Sequence, residues 1–164
     1  MADKQTTFQQ AAEMLAQQGF TIVKQDSERP WGGFYVIDEA QAAQFAAHYF
    51  PDENFDALKI TEKLSPKILM VAPGARLSWQ YHHRRAEIWK CIGGTAAVAT
   101  SDTDEEKEQT ILQIGDIIKL YQGKRHRLIG LDDWGVIAEI WQHTDAENPS
   151  DEDDIVRVQD DFGR

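Results

Sequence analysis

Side chains that could hold a metal ion lie close together in residues 72–94, a segment otherwise typical of β-strand. In an extended strand alternate side chains share a face, so Gln80 and His82 point to one side. If the chain turns back after His82, Glu87 returns beside it, and an imidazole, a carboxylate and an amide oxygen converge. His126 follows a tight turn and begins a later strand, so it could complete a set of four ligands.

Cations are concentrated around these residues, although the whole chain has a net charge of −11. Residues 74–90 carry four Lys or Arg against one carboxylate, and residues 115–127 do the same. A local basic pocket in an acidic protein indicates a small anionic ligand, and the alternative is a set of scattered surface cations. The overall charge argues against nucleic acid and membranes as partners, because both require a basic face.

The elements that must position these residues are mainly β-strands. After Pro66 the chain consists of short runs rich in β-formers, such as KILMVA and VIAEIW, separated by Gly, Asp and Pro. This pattern predicts an antiparallel sandwich or barrel. Earlier in the chain, helical spacing of apolar residues predicts one helix from an N-cap at Thr7 to Gly19, and a second that ends at Pro51.

Length and composition favour one domain in a soluble, cytoplasmic protein. A chain of 164 residues that is 41% hydrophobic can bury one core of ordinary size. No run approaches the roughly 18 apolar residues of a membrane-spanning helix, and the N-terminus lacks the pattern of a secretory signal. The single cysteine, Cys91, rules out an internal disulfide and is expected to be a small core residue.

Two motifs resemble those of the cupin superfamily. The first cupin motif is resembled in the spacing of Gly74, Gln80, His82, Glu87 and Gly94, with Gln80 at the position of the motif's first histidine. Gly115, Gly123 and His126 are similar to the second motif, with Tyr121 at its usual proline. The stretches RPWGG, GKRHRL and EDDIVRVQDDFGR further resemble the cupin part of type II mannose-6-phosphate isomerases. That resemblance covers most of the chain after Glu28, and residues 40–63 look inserted.

The resemblance implies a mainly β fold, the cupin double-stranded β-helix or jelly roll, with short N-terminal and inserted helices. We expect a single cupin domain over residues 1–164, with a helical extension over about 1–28, a barrel core over about 66–142 and a solvated acidic tail over about 143–164. The resemblance also implies a divalent metal held by Gln80, His82, Glu87 and His126. Zinc suits this mixed nitrogen and oxygen set, and Mn, Fe, Co and Ni are competitors.

The implied activity is the isomerisation of a sugar phosphate, with mannose 6-phosphate converted to fructose 6-phosphate. In the resembled isomerases, residues at the positions of Ser78 and Arg85 contact the substrate phosphate and the sugar. The other cations near the motifs, Arg76, Lys124 and Arg127, are further candidates for substrate binding. The reaction needs a base, and Glu139 is a candidate if strand alternation turns it inward; otherwise it is an exposed strand residue.

Two other classes of function stay open. One is a non-catalytic sugar-phosphate-binding cupin, and the other is a different cupin enzyme such as an oxygenase or sugar epimerase. We expect no guanylyltransferase reaction from this chain, because the segment before the motifs is too short for a nucleotide-binding domain. A jelly-roll edge and the aromatic segment RPWGGFYV are compatible with a homodimer.

Overall fold

Two antiparallel sheets make up most of the computed structural model, which describes residues 3–59, 61 and 63–163. The first sheet has the order β1-β2-β3-β10-β5-β8 and the second the order β11-β4-β9-β6-β7. The strands are β1 (Ile22–Arg29), β2 (Gly32–Ile37), β3 (Lys67–Val71), β4 (Trp79–Tyr81), β5 (Arg85–Gly93), β6 (Ala96–Ser101), β7 (Glu108–Leu112), β8 (Ile117–Leu120), β9 (Arg125–Gly130), β10 (Gly135–His143) and β11 (Val156–Gln159). This arrangement confirms the predicted jelly roll.

Three α-helices cover the outer face of the first sheet: α1 (Lys4–Gln17), α2 (Ala42–Tyr49) and α3 (Phe55–Leu58); a 3-10 helix (Glu39–Gln41) precedes α2. The first begins earlier than predicted, because Asp3 is its N-cap and accepts a hydrogen bond from the Thr6 amide, whereas Thr7 is buried inside the helix. The second lies where its apolar spacing predicts and buries Phe45 and Tyr49. None of the helices in these described ranges is long and apolar enough to cross a membrane.

The first sheet is buried on both faces, which creates two apolar clusters. Alternation along β10 places Ile137 in the cluster between the sheets and Ala138 and Ile140 in the cluster beneath the helices. Strand β3 divides its residues in the same way, and all five are buried. Glu139 has the same parity as Ile137, so the strand turns it toward the interior of the barrel.

Two predicted boundaries differ from the structure. Strand β1 begins at residue 22, within the segment of about 1–28 that was predicted to be helical, and β2 follows that segment. Both strands belong to the first sheet. The acidic segment predicted to be a solvated tail contains β11, which pairs with β4, and a buried aspartate, Asp154. Both segments are rich in charge, so their local sequence gives no sign of the partners that cover them. The outermost residues of those segments, 1, 2 and 164, lie outside the described residues.

Glycine is required where β2 begins. Gly32 has a φ of +143°, and a Cβ atom there would lie 2.0 Å from the carbonyl oxygen of Met70 on β3. A side chain would therefore force the two strands apart. This contact gives the RPWGG segment a structural reason for its first glycine, and Arg29 and Trp31 of the same segment line the cavity of the barrel.

Candidate metal centre and cavity

The four predicted metal ligands come together inside the barrel. Gln80 lies on β4 and pairs with His126 on β9, while His82 follows β4 and Glu87 lies on β5. All four side chains are buried. Three potential ligand atoms lie within 4.8 Å of one another, one from each of His82, Glu87 and His126. The spacing in the sequence therefore corresponds to a real convergence of donors in space.

The donor atoms of this group fit a metal ion better than they fit one another. Glu87 Oε1 lies 2.9 Å from His126 Nε2 and 3.5 Å from His82 Nε2. Glu87 Oε1 and His126 Nε2 are nevertheless buried, and neither has a hydrogen-bond partner among the residues that the structure describes. Buried polar atoms without partners are costly, and a shared cation would satisfy them.

Backbone carbonyl groups orient both imidazole rings. His82 Nδ1 lies 2.7 Å from the carbonyl oxygen of Asp154, and His126 Nδ1 lies 2.9 Å from that of Lys124. Each Nε2 keeps its lone pair, and that of His82 accepts from Arg85 Nη2 at 3.3 Å. A carbonyl can only accept, so each Nδ1 carries the proton and donates it to the carbonyl oxygen. This is the second contact that metal-binding histidines usually make.

Gln80 stands beside the three ligands with its amide held by Ser78. The Ser78 hydroxyl donates to Gln80 Oε1 at 2.5 Å, and Gln80 Nε2 lies 3.4 Å from His82 Nε2. Rotating the amide by half a turn would direct its oxygen toward the imidazole nitrogens. The serine hydroxyl could then accept from the amide nitrogen, because a hydroxyl serves in both roles. Ser78 therefore positions the fourth donor.

The surroundings of the centre favour an ionised Glu87 carboxylate beside a neutral His82 imidazole. Burial by itself raises the pKa of Glu87, but Arg85, His82 and His126 together hold it well below its usual value. Burial lowers the pKa of His82, in opposition to the nearby Glu87 charge. Metal binding requires these protonation states, because a protonated ligand has no lone pair to donate.

Arg85 links the centre to the C-terminal segment. Its Nε donates to Glu87 Oε2 at 3.2 Å, and its Nη1 donates to the Ser150 hydroxyl at 2.9 Å and to the Asp151 carbonyl at 3.0 Å. The guanidinium also lies 3.6 Å from the centroid of a Trp141 ring. The side chain is buried and lines the cavity, on the same side as Glu87, as strand alternation predicts.

Glu139 points into the same cavity and is held by two indoles. Trp89 Nε1 donates to its Oε2 at 2.6 Å, and Trp141 Nε1 donates to its Oε1 at 2.8 Å. Burial, and then the charge of Glu87, raise the pKa of Glu139 to about 8. The carboxyl group can therefore both release and accept a proton near neutral pH.

The cavity is lined by more charged groups than the motifs contain. Its charged residues are Arg29, Lys67, Arg85, Glu87, Glu139, Glu152 and Arg157. Sequence reasoning missed Lys67, Glu152 and Arg157 as site residues. The sequence did contain a signal for two other lining residues. Arg29 belongs to the RPWGG segment, and Trp141 lies two residues after Glu139 and so shares its face of the strand. No local pattern distinguishes Glu152 within its acidic segment.

The structure separates the other predicted substrate-binding cations from the cavity. Arg76 donates two hydrogen bonds to Asp161, at 2.7 and 2.6 Å, and does not line the cavity. It lies before β4, which begins at Trp79, so strand alternation does not fix the direction of its side chain. Lys124 lies 3.9 Å from Asp102 and lines a different surface pocket. Arg127 follows His126, so it points to the opposite face, where it bonds to Glu106 and Gln159.

Two further expectations concern histidine and cysteine. His83 is exposed and packs edge-on against Tyr81, so it faces away from the ligand group as predicted. Cys91 is fully buried in the cluster between the sheets, in agreement with its predicted place in the core. Neither residue takes part in the centre.

Solved structures of low sequence identity share the fold. An oxalate decarboxylase of Lactobacillus farciminis superimposes with a TM-score of 0.55 at 17% identity, covering 82% of this chain and 33% of that one. The capsular polysaccharide assembling protein CapF of Staphylococcus aureus gives a TM-score of 0.53 at 12% identity, covering 85% and 34%. At these identities the likeness extends to the fold alone.

Sequence relatives are closer. The alginate biosynthesis protein AlgA of Pseudomonas aeruginosa is 33% identical over 119 residues, which cover 71% of this chain and 22% of that protein. The chain spans about a quarter of the length of the curated relatives it matches. The sequence model described as mannose-6-phosphate isomerase C-terminal matches residues 39–160, a range that includes the segment expected to be inserted. Because this match covers most of the chain and the fold is a cupin barrel, the chain belongs to the mannose-6-phosphate isomerase C-terminal family of cupins.

Proposed function

We propose that the chain is a metal-dependent aldose–ketose isomerase that converts mannose 6-phosphate to fructose 6-phosphate. The observation that carries this proposal is that Gln80 and Glu87 of the ligand group line one cavity together with Glu139 and several cations. Family membership gives independent support, because the family is described as mannose-6-phosphate isomerase C-terminal and one relative is named a mannose-1-phosphate guanylyltransferase.

Isomerisation moves a proton between two adjacent carbons of an open-chain sugar while an oxygen carries developing negative charge. A divalent metal bound by His82, Glu87, His126 and Gln80 would supply Lewis-acid stabilisation of that oxygen. Zinc is our first choice, since two imidazoles and a carboxylate are common zinc ligands.

Glu139 is the proposed base. Each of its oxygens accepts one indole N–H, so each retains a lone pair that can take a proton. The two tryptophans fix the carboxyl group in one orientation, which lets the same oxygen serve both carbons. The raised pKa of about 8 matches a group that takes a proton from one carbon and returns it to the next.

Arg85 is proposed to bind the sugar and to support the centre. Its guanidinium faces the cavity while its Nε neutralises Glu87. Indole rings of Trp89 and Trp141 and the side chains of Leu69 and Leu77 form apolar parts of the wall. Such a wall excludes water from a reaction that passes through a reactive carbanion-like state.

The test is an isomerase assay on the purified chain after measurement of its metal content. Mannose 6-phosphate should be converted, with free mannose much slower, and Glu139→Gln should reduce kcat by about 10²–10⁴-fold while the bound metal is retained. Glu147→Gln, which changes an exposed glutamate outside the cavity, is the matched control. Binding of sugar phosphate without turnover by the metal-loaded wild type would instead support the non-catalytic cupin.

A further inference from the structure

Three cations meet at one corner of the cavity, between two aromatic rings. Arg29 and Lys67 lie over the Phe34 ring, at 5.5 and 5.0 Å from its centroid. Lys67 and Arg85 lie over Trp141, at 3.9 and 3.6 Å. Arg29 ends β1, Lys67 begins β3 and Arg85 begins β5, so the corner exists only in the folded sheet. We name this set of Arg29, Lys67 and Arg85 the cationic corner.

A carboxylate of the C-terminal segment occupies the cationic corner. Glu152 forms an ion pair with Lys67, whose side chain is 7% exposed, whereas that of Glu152 is 49% exposed. Burial raises the pKa of Glu152, but Lys67, Arg85 and Arg29 together lower it below its usual value. Lys67 is thus covered by a side chain that itself remains accessible to water.

The position of Glu152 would let it leave. Lys67, Trp141 and Glu152 line both the main cavity and a second one bounded by Val23 and Ile37, so open space lies on two sides of the glutamate. In contrast, the neighbouring Asp154 is 3% exposed and accepts hydrogen bonds from the amides of His83 and Arg84. The segment is therefore anchored at Asp154 while Glu152 is attached only through its ion pair among the contacts described.

We propose that the cationic corner is the subsite for the anionic group of the substrate, and that Glu152 fills it in the free protein as a built-in competitor. This inference rests on the proposed function for the identity of the ligand, a sugar phosphate. A phosphate dianion carries twice the charge of a carboxylate and accepts paired hydrogen bonds from arginine, so it displaces Glu152 from Lys67.

The position of the other candidate cations supports this choice. Arg29 also pairs with Asp26, at 3.0 Å, but it lines the cavity. Arg76 and Arg127 pair with Asp161 and Glu106 and do not line it, and Lys124 lines another pocket. The corner also lines the same cavity as Glu139 and Glu87, so a sugar held by its phosphate at the corner would extend along the cavity toward the ligand group.

The test is calorimetric titration of the purified full chain with inorganic phosphate at low salt. Glu152→Gln should bind phosphate about fivefold more tightly than the wild type, because the competing charge is gone. Lys67→Met should bind it about tenfold more weakly. The matched controls, Glu147→Gln and Lys124→Met, should stay within about twofold of the wild type, since both changes lie outside the cavity.

A gain of affinity cannot arise from unfolding, so Glu152→Gln decides the question even if Lys67→Met folds poorly. Unchanged or weaker phosphate binding by Glu152→Gln overturns the inference, as does an equal loss in Lys124→Met and Lys67→Met. If phosphate bound at the metal centre instead, the wild type, Glu152→Gln and Lys67→Met would all bind it with similar affinity, and that result would also overturn the inference. The predicted ratios in a protein that lacks isomerase activity would retain the subsite and reject the proposed function.

Discussion

Replacing Asp154 by alanine should destabilise the fold strongly, although the residue lies in an acidic segment near the C-terminus. Its carboxylate accepts hydrogen bonds from the amides of His83 and Arg84, at 2.9 and 3.0 Å, and from the Ser150 hydroxyl at 2.6 Å. The side chain is buried. Alanine would leave two amides of the turn after β4 without acceptors.

The size of the effect follows from these contacts. Hydrogen bonds to a charged partner are worth about 1.5–3 kcal/mol each. The Ser150 hydroxyl can rotate to another acceptor, so two bonds are lost without replacement, and we expect a loss of about 3–5 kcal/mol in the free energy of unfolding. For a chain of this length the melting temperature should fall by roughly 6–20 °C.

The measurement is urea unfolding followed by tryptophan fluorescence, on chelator-treated protein so that metal binding does not add to stability. Asp153→Ala is the matched control, because Asp153 is exposed and adjacent. It should change the free energy of unfolding by no more than about 0.5 kcal/mol. Equal stability of Asp154→Ala and Asp153→Ala would refute the argument that this carboxylate anchors the segment.

The effect should also depend on pH in a defined direction. Burial raises the pKa of Asp154, but its hydrogen bonds lower it below the ordinary value. The carboxylate's contribution is therefore complete above the unfolded pKa of about 3.9 and is lost as the pH falls through the lower folded pKa. The difference in stability between wild type and Asp154→Ala should be constant near neutral pH and shrink in strong acid.

Two further outcomes test the centre and its surroundings. His82→Ala should lose bound metal as measured by elemental analysis, whereas His83→Ala, which changes the exposed neighbour, should retain it. Burial, and then the charge of Lys63, lower the pKa of His143 to about 4, so the unfolded state takes up more protons between about pH 4 and 6.5. As the pH is lowered through that window, the free energy of unfolding of the wild type should therefore fall more steeply than that of His143→Gln. Parallel curves of unfolding free energy against pH would contradict the assignment.

The ligand group could be predicted from the sequence because its geometry is mostly local. Gln80 and His82 share a face by strand alternation, and Glu87 returns through a turn of a few residues. His126 required the spacing of a second motif. The short β-rich runs gave the fold class, and the two motifs together gave the jelly roll.

The prediction of the substrate pocket was less complete, because a cation near a ligand in sequence need not share its face. Arg127 is adjacent to His126 but lies on the opposite side of the strand, paired with Glu106. Arg76 lies before the regular part of β4 and pairs with Asp161. Of these cations only Arg85 lies on the same strand as a ligand and two residues from it, so it shares the face of Glu87.

The sequence by itself determined the succession of short strands and, through the spacing of the two motifs, the residues that can coordinate a metal. It left open whether Glu139 faces inward, which the structure decided. The tertiary structure decided that Arg29, Lys67 and Glu152 meet in one cavity, and that an acidic segment becomes its wall. The physical reason is that alternation acts over one or two residues, whereas the pairing of charges from distant segments depends on which strands become neighbours in the sheets.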